Sequence, residues 1–186
     1  ATGGEAGDEV ANYVAEELVG AQPVDRRAFM LRAALLDELT ADACLGVFGD
    51  EDAATHLAAL EGALLLQRLG SAGWRFPGYL AAWLREEAGR AFPPATLAGW
   101  HRAAMGYHLG RGADERALPH AIALHDWEAA AAACARCFPP MRYAGRAGSI
   151  ARWLSAFPAA ALAEPAAAPP MRAPRASSRS RSCATS

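Results

Sequence analysis

Four histidines, His101, His108, His120 and His125, fall in one stretch of helical character. Imidazole is the side chain best suited to bind a transition metal or to move protons near neutral pH. A helical metal site would add a carboxylate one turn away, and no Asp or Glu stands at i+4 of any of the four, so the cluster is weak evidence for a metal centre. Cys134 and Cys137 form a C-x-x-C. As a redox motif it would need a strand before it, and as half a zinc site a second pair. Neither is present: the motif sits in the alanine-rich helical run WEAAAAACARCF, where free thiols pack as small hydrophobes. Cys44 and Cys183 make the total four, too sparse for a disulfide-built secreted scaffold. Glu86 and Glu87 would need a pocket with separated pKa values to work as acid and base; on a helix they read as a solvated face. No nucleophile-base pair is visible, so the sequence offers no catalytic and no metal residue, and a small helical enzyme is disfavoured.

Phosphate chemistry is equally short of residues. There is neither a G-x-x-x-x-G-K-[ST] loop nor an acidic strand end to hold magnesium, so the chain by itself is expected to take no nucleotide cofactor. A net charge of -2 gives the body of the chain no electrostatic footprint for nucleic acid. The exception is the end, RAPRASSRSRS, with Arg172, Arg175, Arg179 and Arg181. From residue 164, EPAAAPPMRAPRASSRSRSCATS has no apolar periodicity and reads as a disordered tail. All 18 basic residues are arginine and 48 residues are alanine, the mark of GC-rich coding DNA. The tail is accordingly expected to be a frameshift product or a disordered end rather than a selected basic arm.

The 186 residues, 53% hydrophobic and 20% charged, suit a soluble globular chain with one ordinary core or two small ones. No run of 18 strongly apolar residues occurs, and the opening ATGGEAGDEV is acidic where a signal peptide is basic. The expectation is a cytoplasmic protein with no membrane contact. The first residue is not methionine, which suggests a piece of a longer protein.

The elements that must position these residues follow from spacing. Asp8 can cap a helix over EVANYVAEELV, with Val10, Tyr13, Val14 and Leu18 on one face. Pro23 opens a second helix carrying Phe29, Met30, Ala33, Leu35 and Leu36. Thr40 caps a third, ADACLGVF, ending at Gly49, and Asp50 or Asp52 starts a fourth with Leu57, Leu60 and Leu64. LLLQRL and WRF then flank GSAG, a hairpin whose loop has glycine at both ends, where positive φ is cheap. Two strands are marginal alone, so the hairpin must close over the helices. Three helices followed by a hairpin is the order of a winged helix. YLAAWLREEAGRAF returns Leu80, Trp83 and Leu84 to the same core, and Pro93-Pro94 mark a boundary.

Beyond that boundary come TLAGWHRAAMGYHLG, ERALPHAIALHD, WEAAAAACARCF and, after PPMRYAGRAG, SIARWLSAFP. Short paired helices with Ala or Gly at their crossings are how TPR-like repeats stack. Pro119 requires its helix to begin about a turn earlier or to bend. The fold class expected is mainly α: a winged helix over residues 1–92, TPR-like antiparallel helical repeats over 93–163 and a disordered tail over 164–186.

In this order the segments over residues 8–163 resemble the middle of the large ATP-binding transcription activators of the LuxR family, typified by an activator of maltose genes. RRAFMLRAALLDELTADAC is similar to that family's first winged-helix segment, and LEGALLLQRLGSAGWRFPGYLAAWLR to its hairpin and next helix. LAGWHRAAMGYHLGRGADERALPHAIALHDWEAAA resembles the start of its repeats through Trp100, His101, Ala104, Tyr107, His120, Ala121, Asp126, Trp127 and Glu128. SIARWLSAFP resembles the next helix. The resemblance implies that His101 and His120 are packing positions of the repeats. It also implies an ATPase core before this region, so that ATP belongs to the full-length parent, and a DNA-binding helix-turn-helix after it. Neither is in this chain. At the end of the hairpin the family usually carries a nucleotide-sensing histidine, and Pro77 stands there, which puts that sensing in doubt.

The leading expectation is a non-catalytic regulatory and interaction segment of such a regulator. Its winged helix would relay nucleotide state from the ATPase core, and its repeats would bind an effector or another protomer; DNA would be reached only through the missing C-terminal domain. The alternative is a free-standing winged-helix DNA-binding protein with a helical dimerisation domain. Its recognition helix, DEDAATHLAALEGA, would then present Asp50, Glu51, Asp52 and Glu61 to phosphate with no arginine, the wrong sign of charge.

Overall fold

The computed structural model describes residues 3–70 and 73–158. They form a mainly helical winged helix followed by further paired helices. The tail expected to be disordered, Cys183 and the two middle residues of the hairpin loop lie outside the described residues.

Helix α1 (Gly3–Gly20) starts before Asp8, which is therefore inside the helix and not its cap. Its expected face is also corrected. Val10 and Tyr13 are each 64% exposed and Val14 is exposed as well, whereas Ala15 and Val19 are buried and Leu18 packs against the core. The inward stripe is the smaller-residue one, because alanine lets α1 approach its neighbour α5 closely.

Helix α2 (Val24–Ala33) is preceded by Pro23 and buries Phe29, Met30 and Ala33, while Leu36 is buried just past its end. Thr40 caps α3 (Ala41–Phe48), its hydroxyl accepting from the Ala43 N–H at 3.0 Å, and Gly49 ends it with φ 67°. Asp52 precedes α4 (Ala53–Gly62) without a side-chain capping bond. Leu57 and Leu60 are buried, but Leu64 is not on the helix: it is 87% exposed with φ 59°. The Leu65 N–H bonds Leu60 O and the Leu64 N–H bonds Glu61 O, a left-handed helix stop that turns Leu65 and Leu66 inward.

Strands β1 (Gln67–Leu69) and β2 (Gly73–Arg75) pair antiparallel with Arg68 opposite Trp74. Gly73, expected in the loop, is in β2, and a Cβ there would fall 2.8 Å from a Glu38 carboxylate oxygen. Leu39 bridges to Trp74 on the other side, each N–H donating to the other's carbonyl at 2.7 and 2.9 Å. The hairpin thus gains a third partner from the chain entering α3, which relieves the marginality of two strands. Helix α5 (Gly78–Ala91) follows, with Leu80, Leu84 and Ala88 buried and Trp83 packed at the edge of the core.

Pro94 begins α6 (Pro94–Gly110), a position where the missing N–H costs nothing. Next come α7 (Asp114–Ala123), α8 (Trp127–Tyr143) and α9 (Ala147–Leu154). Pro119 lies just over a turn into α7, so only one ladder bond is lost. The segment PPMRY, expected as connection, is the last part of α8: the helix runs on through Pro139 and Pro140. Met141 continues the buried stripe of Cys134 and Cys137, and that burial offsets the two missing donors. Three helix ends share one turn. Gly112, His125 and Gly145 have φ of 66°, 55° and 72°, and the next residue's N–H reaches back five residues to His108 O, Ala121 O and Met141 O.

Two apolar clusters result. One joins α1 to α5 and takes in Ala104 of α6; the other holds Leu118, Ala121, Ala130, Ala133, Cys134, Cys137, Met141 and Phe157.

Candidate functional site

Helix α6 forms a seam with the winged helix along α3. Ala104 is buried against the first cluster, and Trp100 meets Phe48 and Phe92 edge-on at 5.9 and 4.8 Å between centroids. Tyr107 donates its hydroxyl to Asp42 Oδ2 at 2.6 Å, and Arg111 reaches the same oxygen at 2.8 Å while its guanidinium lies 3.8 Å above the Tyr107 ring. The Tyr107 hydrogen bond, aided by Arg111, holds the Asp42 carboxyl below its ordinary value. Burial and the bond to Asp42 push Tyr107 up.

A second arginine braces the winged helix from within, and a third crosses the seam. Arg85 of α5 gives one hydrogen bond to Ala34 O and one to Asp37 Oδ1, both 2.7 Å, and Arg116 of α7 pairs with Glu38. Sequence reasoning missed these pairs: Asp42 and Tyr107 are 65 residues apart, and no local signal links them.

Three of the four candidate histidines come together. Nδ1 of His101 and Nδ1 of His120 are 2.9 Å apart, and the His108 and His120 rings stack at 10° and 5.8 Å. His125 is elsewhere, in the turn after α7, stacked on Trp127 at 5.5 Å. Burial lowers all three clustered rings, and it brings His120, with help from the other two histidines and Arg85, to about 3. Among the described residues no group of three or more His, Cys, Asp or Glu is placed to hold a metal ion.

The remaining candidates are placed as follows. Cys44, Cys134 and Cys137 are free and buried, and burial pushes Cys44 and Cys134 to about 12, far from thiolate reactivity. Glu86 and Glu87 both pair with Arg90 on the outside of α5. Pro77 is the residue immediately before α5, with φ -50° and no side-chain donor. Asp50 is held by Arg32 at 2.8 Å and Glu61 by Arg68 at 2.9 Å; α4 itself contains no arginine.

The unit that carries Pro77 and the hairpin has a recognisable counterpart. Residues 15–96 match the family model of the MalT winged helix domain. The match runs from the buried half of α1 to the first turn of α6, so it takes in every element of the first apolar cluster up to the seam. The likeness is confined to that domain and points to a regulator segment over residues 15–96. No curated protein matches the chain. Among the described residues no helix is long and apolar enough to cross a membrane.

Proposed function

We propose that the chain is a non-catalytic relay and interaction segment of a MalT-like, ATP-dependent LuxR-family regulator that works in the cytoplasm. The observation that carries this reading is the match of residues 15–96 to the MalT winged helix domain. Its winged helix, residues 1–92, would take up the nucleotide state of an ATPase core supplied by the parent protein. The helices of residues 93–163 would act as TPR-like repeats that bind an effector or a second protomer. The seam supports the relay, because the first paired helix is tied to α3 through Tyr107, Asp42 and Arg111 and so moves with the winged helix. Pro77 supports a departure within it: with no side-chain donor at that position, nucleotide sensing would be left to the parent's own residues.

Against direct DNA binding stands α4, whose sequence AATHLAALEG offers no cation to a phosphate backbone. DNA would be reached through a separate domain of the parent. The test is the DNA on either side of this reading frame. A phosphate-loop ATPase encoded upstream and a helix-turn-helix downstream support the reading; flanking genes of unrelated products overturn it.

A further inference from the structure

The buried histidines are left unexplained by the relay reading, and they sit where α6, α7 and the winged helix meet. His101 and His108 stand two turns apart on α6, and α7 inserts His120 between them. His108 and His120 are only 5% and 4% exposed. The 2.9 Å Nδ1 to Nδ1 contact can form one hydrogen bond only if one ring carries its proton on Nδ1 and the other has that nitrogen bare. The accepting ring must be neutral, and the burial that lowers both rings favours a neutral donor over an imidazolium, which makes the two rings opposite tautomers.

An extra proton would find no stabilising partner there. The charges acting on the rings are Arg85 from α5, Arg111 just past the end of α6, Arg116 from α7 and Asp37 from the connection between α2 and α3. The one carboxylate of these, Asp37, is already bonded to Arg85, and Glu38 beside it is paired with Arg116. From α6, Tyr107 offers His108 only a ring face at 5.3 Å, and its hydroxyl is committed to Asp42. Among the described residues no carboxylate bonds any of the three imidazoles, so each added proton would be an uncompensated buried charge.

We propose that His101, His108 and His120 form a proton-operated joint, which clamps α6 to α7 while neutral and opens that pair, loosening the seam to the winged helix, when protonated. Opening returns each ring to water, where its pKa is about 6.5. The open form alone then gains protons, so its population rises about tenfold per pH unit below that value for each ring released. The effect needs no nucleotide and no other part of the parent protein.

Hydrogen exchange of the whole chain at pH 7.5 and 5.5, corrected for intrinsic exchange rates, tests this. Protection over residues 94–123 should fall about tenfold at the lower pH if His120 alone is released, and up to about a thousandfold if all three rings are. Residues 24–91 should keep theirs. His120→Gln should cut the pH effect about tenfold. Should that variant not fold, His108→Phe, which keeps a ring in the stack, should make the same reduction. Equal loss of protection in both regions, or the same pH effect in the folded variant, would overturn the proposal.

Discussion

The ring of Tyr107 lies directly on the backbone of Gly46: a Cβ at that glycine would fall 2.7 Å from both Cδ2 and Cε2. The ring is not free to swing away, since Asp42 holds its hydroxyl and Arg111 covers its face. Gly46→Ala should therefore destabilise the chain by about 1–3 kcal/mol through overpacking, even though alanine is the better helix former. Urea unfolding of the variant and of Gly46→Ala combined with Tyr107→Ala checks it. The alanine substitution should become neutral or favourable once the ring is gone, and an equal cost in both backgrounds would contradict the packing account.

Leu64 spends a left-handed conformation on a side chain that packs on almost nothing. Leu64→Gly should remove a strain of about 1–2 kcal/mol at little loss of burial, offset in part by the entropy of glycine. A net gain of about 0.5–1 kcal/mol is expected in the denaturation midpoint. A loss would mean that Leu64 is covered in solution.

Stability should also depend on pH in a defined direction. His120 is lowered to about 3 in the fold and returns to about 6.5 when unfolded, so the unfolded chain binds the extra proton. The contribution is complete above pH 6.5 and is lost as pH falls toward 3, at about 1.4 kcal/mol per unit for this ring. Asp42 acts lower: its depressed carboxyl stabilises the fold above the ordinary value of 3.8 and stops doing so as pH falls through its own value. Urea midpoints at pH 7.5, 6.5 and 5.5 should fall slightly between the first two and mainly between the last two. A midpoint that is flat over this range would contradict the burial of His120.

Calorimetry with ATP and with ADP should give no binding heat. The chain has no phosphate loop, and Pro77 supplies no donor beside the hairpin. A micromolar dissociation constant for either nucleotide would show a site that this account lacks.

Local chemistry made much of the winged helix legible. Thr40, Gly49 and the two strands beside Gly70 signal their roles within a few residues, because caps and turns are set by neighbours. Where the reading went astray, a distant partner decided. The stripe of Val10, Tyr13 and Val14 looked inward by size, but α5 receives the alanine side of α1. Gly73 looked like a turn glycine and is one that makes room for Glu38. Pro139 and Pro140 looked like a stop, and burial of Met141 carries the helix past them. At the seam, the histidines were visible as a cluster but their exchange of a hydrogen bond was not, since it depends on how α7 lies across α6.

The turns at Gly112, His125 and Gly145 repeat one backbone conformation at three successive helix ends. Each therefore ends its helix with the same backbone stop, so the departure of the chain is set at three places by main-chain angles. His125, the one of the three positions that is not glycine, is where that shared stop is held under the most backbone strain.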